Sequence, residues 1–164
     1  MGLQPRRSLG LALAAATLVA APAWAAGLTE AQVRAFVAQQ ERSWNTGALD
    51  AYFKAFRPDA VFTDQYRTPA GEIVPYGSST LAAARAQSRK FRAASKVSES
   101  GEIVRIAVAG DGRTAEVVSR VVSRIQGATG RLRVTCAERK QELVLAGGVV
   151  RSKGQTDTFS RCPR

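Results

Sequence analysis

Histidine is absent from the 164-residue sequence. That absence excludes any mechanism needing an imidazole and any His-ligated metal centre. Acidic residues are outnumbered, 13 against 24 lysines and arginines. They form no cluster along the chain that would suit a carboxylate-only metal site, so neither a metal nor a cofactor is expected. Only two cysteines occur, Cys136 and Cys162, and they lack the C-x-x-C spacing of a redox motif. Beyond the N-terminal segment there is no second long apolar run, so the mature chain is not expected to be membrane-embedded. Internal repeats and low-complexity stretches are missing too, which points to one globular domain.

The N-terminus has the layout of an export signal. Arg6 and Arg7 precede an uncharged apolar stretch from Leu9 to Ala21, which Pro22 breaks. Ala23-Trp24-Ala25 places small residues at the two positions a signal peptidase reads. The apolar stretch is shorter than the roughly 20 residues needed to span a bilayer. Residues 1–25 are therefore read as a cleavable signal peptide and residues 26–164 as the mature domain, periplasmic or secreted from a bacterium. In that oxidising compartment Cys136 and Cys162 are expected to form a disulfide. The net charge of +11 would suggest nucleic acid for a cytoplasmic protein. After export no nucleic acid is expected; solubility, or an anionic envelope surface, accounts for the basicity.

Hydrophobic periodicity divides the mature chain into helices followed by strands. Thr29 to Asn45 reads as an amphipathic helix with Val33, Phe36, Val37, Gln40 and Trp44 on one face. Thr29 suits its N-cap and Gln32 would complete a capping box. Gly47 suits its C-terminal stop. A short helix from Ala48 to Phe56 is expected to end at Pro58, followed by a strand over Ala60 to Gln65. Residues 67–77 contain Pro69, Gly71, Pro75 and Gly77 and read as a loop or irregular hairpin. A third helix from about Ser79 to Ala94, capped by Ser78 or Ser79, carries a stripe of Leu81, Ala84, Ser88 and Phe91. The period then changes to two, predicting strands over Glu102–Ala109, Thr114–Ile125, Arg131–Val144 and Val149–Ser160. Helices first and an antiparallel meander afterwards define an α+β class.

This order, with Trp44-Asn45-Thr46-Gly47-Ala48-Leu49-Asp50 followed by Pro58-Asp59-Ala60-Val61-Phe62, resembles the nuclear transport factor 2-like superfamily. Its members include ketosteroid isomerase-like, scytalone dehydratase-like and SnoaL-like polyketide cyclase proteins. The resemblance implies a cone-shaped fold, with three N-terminal helices packed in a curved, mostly antiparallel sheet and a pocket opening at the wide end. It makes Asp64, after Phe62 on one strand face, the counterpart of an isomerase general base. The oxyanion-stabilising tyrosine then corresponds to Gln40 and its supporting tyrosine to Phe56, so the isomerase set is incomplete.

A pocket of this kind would be lined by Gln40, Trp44, Phe56, Phe62, Tyr66, Tyr76 and Phe91. Three functions remain open at this point. The first is binding of a small, largely apolar ligand in the cone. The second is an isomerase, dehydratase or cyclase with Asp64 as catalytic base. The third is an interaction module that forms a homodimer through its sheet. For the third, closing the hairpin at Ala128-Thr129 would set Arg124 opposite Arg133, with Arg120 on the same face as a basic patch.

Overall fold

The computed structural model describes residues 27–163. The expected signal peptide, with its cut after Ala25, lies outside the described residues. The first helix, α1 (Glu30–Asn45), starts with the expected reciprocal cap. The Gln32 N–H donates to Thr29 Oγ1 (3.2 Å) and the Thr29 N–H donates to Gln32 Oε1 (2.8 Å). Gly47 follows at φ 74°, a conformation that glycine adopts without steric cost.

The short helix α2 (Leu49–Lys54) ends earlier than the sequence suggested. Strand β1 (Phe56–Arg67) begins at Phe56, so Pro58 lies inside a strand instead of marking a helix end. Its missing N–H is tolerated because the pairing of β1 with its neighbour is interrupted between Phe56 and Val61. The segment expected as a loop is largely β2 (Ile73–Thr80), antiparallel to β1. Asp64 pairs with Gly77 and Gln65 with Pro75, leaving Tyr76 as the extra residue of a bulge. Helix α3 (Leu81–Ala94) is capped by Thr80, whose Oγ1 accepts from the Ala83 N–H, not by Ser78 or Ser79, which remain in β2.

The meander comprises β3 (Ser95–Val108), β4 (Thr114–Gly127), β5 (Leu132–Ala146) and β6 (Val149–Ser160). One six-stranded sheet results, in the order β2-β1-β6-β5-β4-β3. The β1–β6 pairing is parallel and the other four are antiparallel. Parallel pairing aligns Asp64 with Asp157 and Tyr66 with Phe159. It depends on Gly154, where a Cβ atom would lie 2.2 Å from the Val61 carbonyl oxygen. Only glycine lets β6 approach β1 so closely there.

Two register details differ from expectation. Cys136 pairs with Ser160, not with Phe159 as a ladder closed at Gly147-Gly148 without a shift would give, because the β5–β6 register shifts between Gln141 and Leu143. This brings Cys136 within 5.1 Å (Cα–Cα) of Cys162, and the expected disulfide forms. In the β4–β5 hairpin Gln126 pairs with Leu132, so Arg124 faces Val134, and Arg133 pairs with Ile125. A shift of one residue moves side chains to the opposite face. Arg133 therefore joins the concave face, Arg120 and Arg124 stay on the outer one, and the three arginines form no common patch.

Two apolar clusters hold the helices to the sheet. One contains Leu49, Tyr52, Phe53, Phe56, Ala60 and Ala84, flanked by Trp44, Phe62 and Leu81. The other contains Leu28, Val33, Ala115, Val117 and Leu143, flanked by Phe36 and Val37. The inward stripe of α1 runs from the second cluster through buried Gln40 to Trp44 at the first. A polar layer thus separates the two cores, and the functional candidates lie there.

Candidate functional site

The concave face of the sheet and the inner faces of α2 and α3 enclose a cavity of ≈ 520 Å³. One side is aromatic, with Trp44, Phe53, Phe62 and Phe91, and Tyr76 and Phe159 complete the wall. The inward stripe of α3 supplies Ala84 and Ser88 as cavity wall, so its half-buried character reflects an open interior. Tyr76 and Phe159 have ring centroids 6.2 Å apart, as do Tyr66 and Tyr76. The β2 bulge thus turns Tyr76 toward the cavity.

Of the residues expected in the pocket, Asp64, Trp44, Phe62, Tyr76 and Phe91 converge on this cavity. Three others do not line it. Phe56, 1% exposed, is fully packed inside the apolar cluster. Tyr66 stands exposed beside Tyr76. Gln40 is buried behind Tyr52 and Arg139, where it borders only a void of ≈ 20 Å³. It accepts a hydrogen bond from Gln141 Nε2 (3.1 Å). Gln40 therefore has no line to Asp64 as an oxyanion donor.

The cavity floor is charged, which sequence reasoning missed. Arg139 donates from Nε to Asp157 Oδ1 (2.8 Å) and from Nη2 to Asp157 Oδ2 (2.9 Å). The same guanidinium reaches Glu99 through Nη1 (2.5 Å) and Nη2 (3.3 Å). Ser123 Oγ donates to Glu99 (3.0 Å), and Gln155 Nε2 donates to Asp157 (2.9 Å). Tyr52 donates its hydroxyl to Gln155 Oε1 (3.1 Å) and joins the network to α2. Burial alone would favour a neutral Arg139, but Asp157 and Glu99 outweigh it and hold the guanidinium well above its ordinary range. Burial pushes the Tyr52 phenol well up, so it remains a donor.

These residues were hidden because Glu99 and Arg139 sit in charge-rich stretches and Asp157 in a polar one, all of which read as solvated faces. Inward parity was the available signal: Glu99 is two residues from Val97, Arg139 two from Ala137, and Asp157 two from Phe159.

Asp64 differs from the other cavity acids. Its carboxylate makes no hydrogen bond or ion pair among the described residues, whereas Glu99 and Asp157 share Arg139. Burial raises its carboxyl above the usual aspartate range, and the negative charge of Asp157 on the adjacent strand adds to this, against the pull of Arg139. Tyr76 is also raised, first by burial and then by Asp64 and Asp157. No group of three or more His, Cys, Asp or Glu residues suited to a metal ion occurs among the described residues.

The cationic face of α3 is largely engaged in structure. Arg85 and Arg89 both bind Asp50 on α2. Arg92 lies 5.6 Å from the Trp44 ring centroid and donates to the carbonyls of Asn45 (3.2 Å) and Val97 (3.0 Å). Among the described residues, no helix is long and apolar enough to cross a membrane.

No protein-family model and no curated protein matches this sequence. Solved structures do match the fold. A ketosteroid isomerase-like protein from Erwinia carotovora atroseptica superposes with a TM-score of 0.64 at 13% identity, over 80% of this chain and 96% of the other. The β subunit of a putative aromatic-ring-hydroxylating dioxygenase from Novosphingobium aromaticivorans gives 0.62 at 16% identity, over 82% and 90%. An NTF-2 like protein of unknown function from Shewanella oneidensis gives 0.56 at 14% identity, over 77% and 95%. The chain thus has the α+β nuclear transport factor 2-like fold, with few helices set against a curved six-stranded sheet. Fold alone does not define the chemistry of its cavity.

Proposed function

We propose that residues 26–164 form an exported domain that binds a small, largely apolar ligand with a polar end in the cavity of its cone. The carrying observation is the ≈ 520 Å³ cavity, with aromatic side chains on its wall and one unpartnered carboxylate, Asp64. This combination of apolar surface and a few placed polar groups is what small-molecule sites share. The Cys136–Cys162 disulfide supports residence in an oxidising compartment. Thermal-shift screening of hydrophobic and amphiphilic compounds tests the binding role. Hits should disappear in Ser88→Trp, which fills the cavity from α3 while leaving the apolar clusters intact. A screen without hits, or hits indifferent to that substitution, refutes the reading.

A second reading takes Asp64 as general base of an isomerase-, dehydratase- or cyclase-type reaction. It is favoured by a carboxylate without a partner and with raised proton affinity, a state suited to abstracting a proton. The displacement of Gln40 removes its expected electrophilic partner. Turnover of carbonyl compounds with acidic α-protons, lost in Asp64→Asn, would establish this reading; turnover unchanged by Asp64→Asn would end it. Self-association through the outer sheet face, where Leu132 and Val134 are exposed, is measured by sedimentation. A monomer at all concentrations would exclude it.

A further inference from the structure

We infer that the ligand of this cavity carries a positively charged nitrogen, held by Asp64 beside the aromatic wall. The inference rests on the cavity being a binding site and adds the chemical class of what it binds. Its starting point is the distribution of charge along one row of the sheet. Asp64 on β1 pairs with Asp157 on β6, which in turn pairs with Arg139 on β5. Arg139 is already divided between Asp157 and Glu99, so two carboxylates share one guanidinium before Asp64 is considered. The wall around Asp64 therefore has an excess of negative charge, in a chain whose net charge is +11.

None of the lysines or arginines among the described residues lies within ion-pair distance of Asp64. Arg133 also lines the cavity, but it sits six residues from Arg139 along β5. At about 3.3 Å per residue this is roughly 20 Å along the strand. Its charge reaches Tyr76, but the charges that act on Asp64 come from Asp157 and Arg139.

Each alternative head group fits this wall less well. An anion beside Asp64 and Asp157 would meet like charges, while Arg139 already gives four of its five N–H donors to Asp157 and Glu99. Asp64 is exposed to solvent at the cavity wall, and a neutral head group would cover its carboxylate without supplying a counter-charge. A cationic nitrogen supplies that charge and donates hydrogen bonds to Asp64. Phe62, two residues away on the same strand face, and Tyr76, from the bulge opposite, can present ring faces to the same cation. The rest of the aromatic wall accommodates an apolar body.

The test uses the domain as residues 26–164 and three probes with one naphthyl body: 2-(1-naphthyl)ethylammonium, 2-(1-naphthyl)ethanol and 3-(1-naphthyl)propanoate. Calorimetric titration near neutral pH should rank the ammonium tightest and the carboxylate weakest. Asp64→Asn should weaken the ammonium by about tenfold, the loss expected for a charge-assisted hydrogen bond, and shift the alcohol by less than about threefold. The carboxylate binding best, or the ammonium being indifferent to Asp64→Asn, overturns the inference while leaving the cavity as a site for another class of ligand. Failure of all three probes, together with a thermal-shift screen without hits, overturns both the inference and the binding role.

Discussion

Replacing Arg139 with methionine is expected to destabilise the domain by about 3–5 kcal/mol, because it leaves two carboxylates without their cation. The side chains of Glu99 and Asp157 are only 7% and 10% exposed, and that of Arg139 is 17% exposed. Arg139 makes four hydrogen bonds to them. Taking three charged groups out of water largely offsets their mutual attraction, so the intact network adds little net stability. Removing one partner is different, since the desolvation of the survivors persists with nothing to balance it. Methionine retains the length and apolar contacts of the arginine stem, which limits the change to the charge and its hydrogen bonds. Urea unfolding provides the assay. At a slope of about 2 kcal/mol/M, a loss of about 4 kcal/mol lowers the midpoint by about 2 M. Adding Glu99→Gln and Asp157→Asn to Arg139→Met should restore most of that loss. A single variant within about 1 kcal/mol of the parent would refute the argument, as would a triple variant no more stable than the single one.

Three further perturbations probe the same structure. Asp64 binds its proton more readily in the folded state than in the unfolded chain. Stability should therefore fall as pH rises through the window between the ordinary aspartate value and the higher native one. Asp64→Asn should remove that slope, raising the thermal midpoint near neutrality but not in strong acid; a lower midpoint at neutrality would contradict the like-charge account. Reducing the disulfide frees a loop with a sequence separation of 26. On the chain-entropy model this costs about 3.5 kcal/mol, read as a lower denaturation midpoint for Cys136→Ser with Cys162→Ser. Gly154→Ala should destabilise by about 1–3 kcal/mol or more through the Val61 carbonyl contact, and unchanged stability would show that β1 and β6 can separate there.

Much of the architecture was legible locally. Thr29 and Gln32 form the capping box the sequence announces, because a cap depends on residues three apart. The strands of the meander follow from alternation and glycine turns, apart from β3, which begins at Ser95 directly after α3. Errors occurred where a neighbour decides the outcome. Pro58 stops a helix on local rules, yet it sits in β1 because β6 leaves a gap in the ladder beside it. Thr80 caps α3 because β2 continues through Ser78 and Ser79. Arg124 and Arg133 were separated by a single added turn residue, and sheet register does not tolerate an error of one.

The site divides in the same way. Sequence alone excluded imidazole chemistry, led to the expected disulfide, and set Trp44, Phe91, Phe62 and Asp64 on helix and strand faces as pocket candidates, since those readings depend on composition, short-range periodicity and a family resemblance. Tyr76 was a candidate from a segment read as a loop. Only the tertiary structure put Gln40 behind Arg139, joined Glu99, Arg139 and Asp157 from three strands, and left Asp64 alone beside them. The physical reason is that whether a charge is paired depends on strands far apart in the chain meeting in one register. A carboxylate without a cation is a property of that meeting, and no stretch of sequence encodes it by itself.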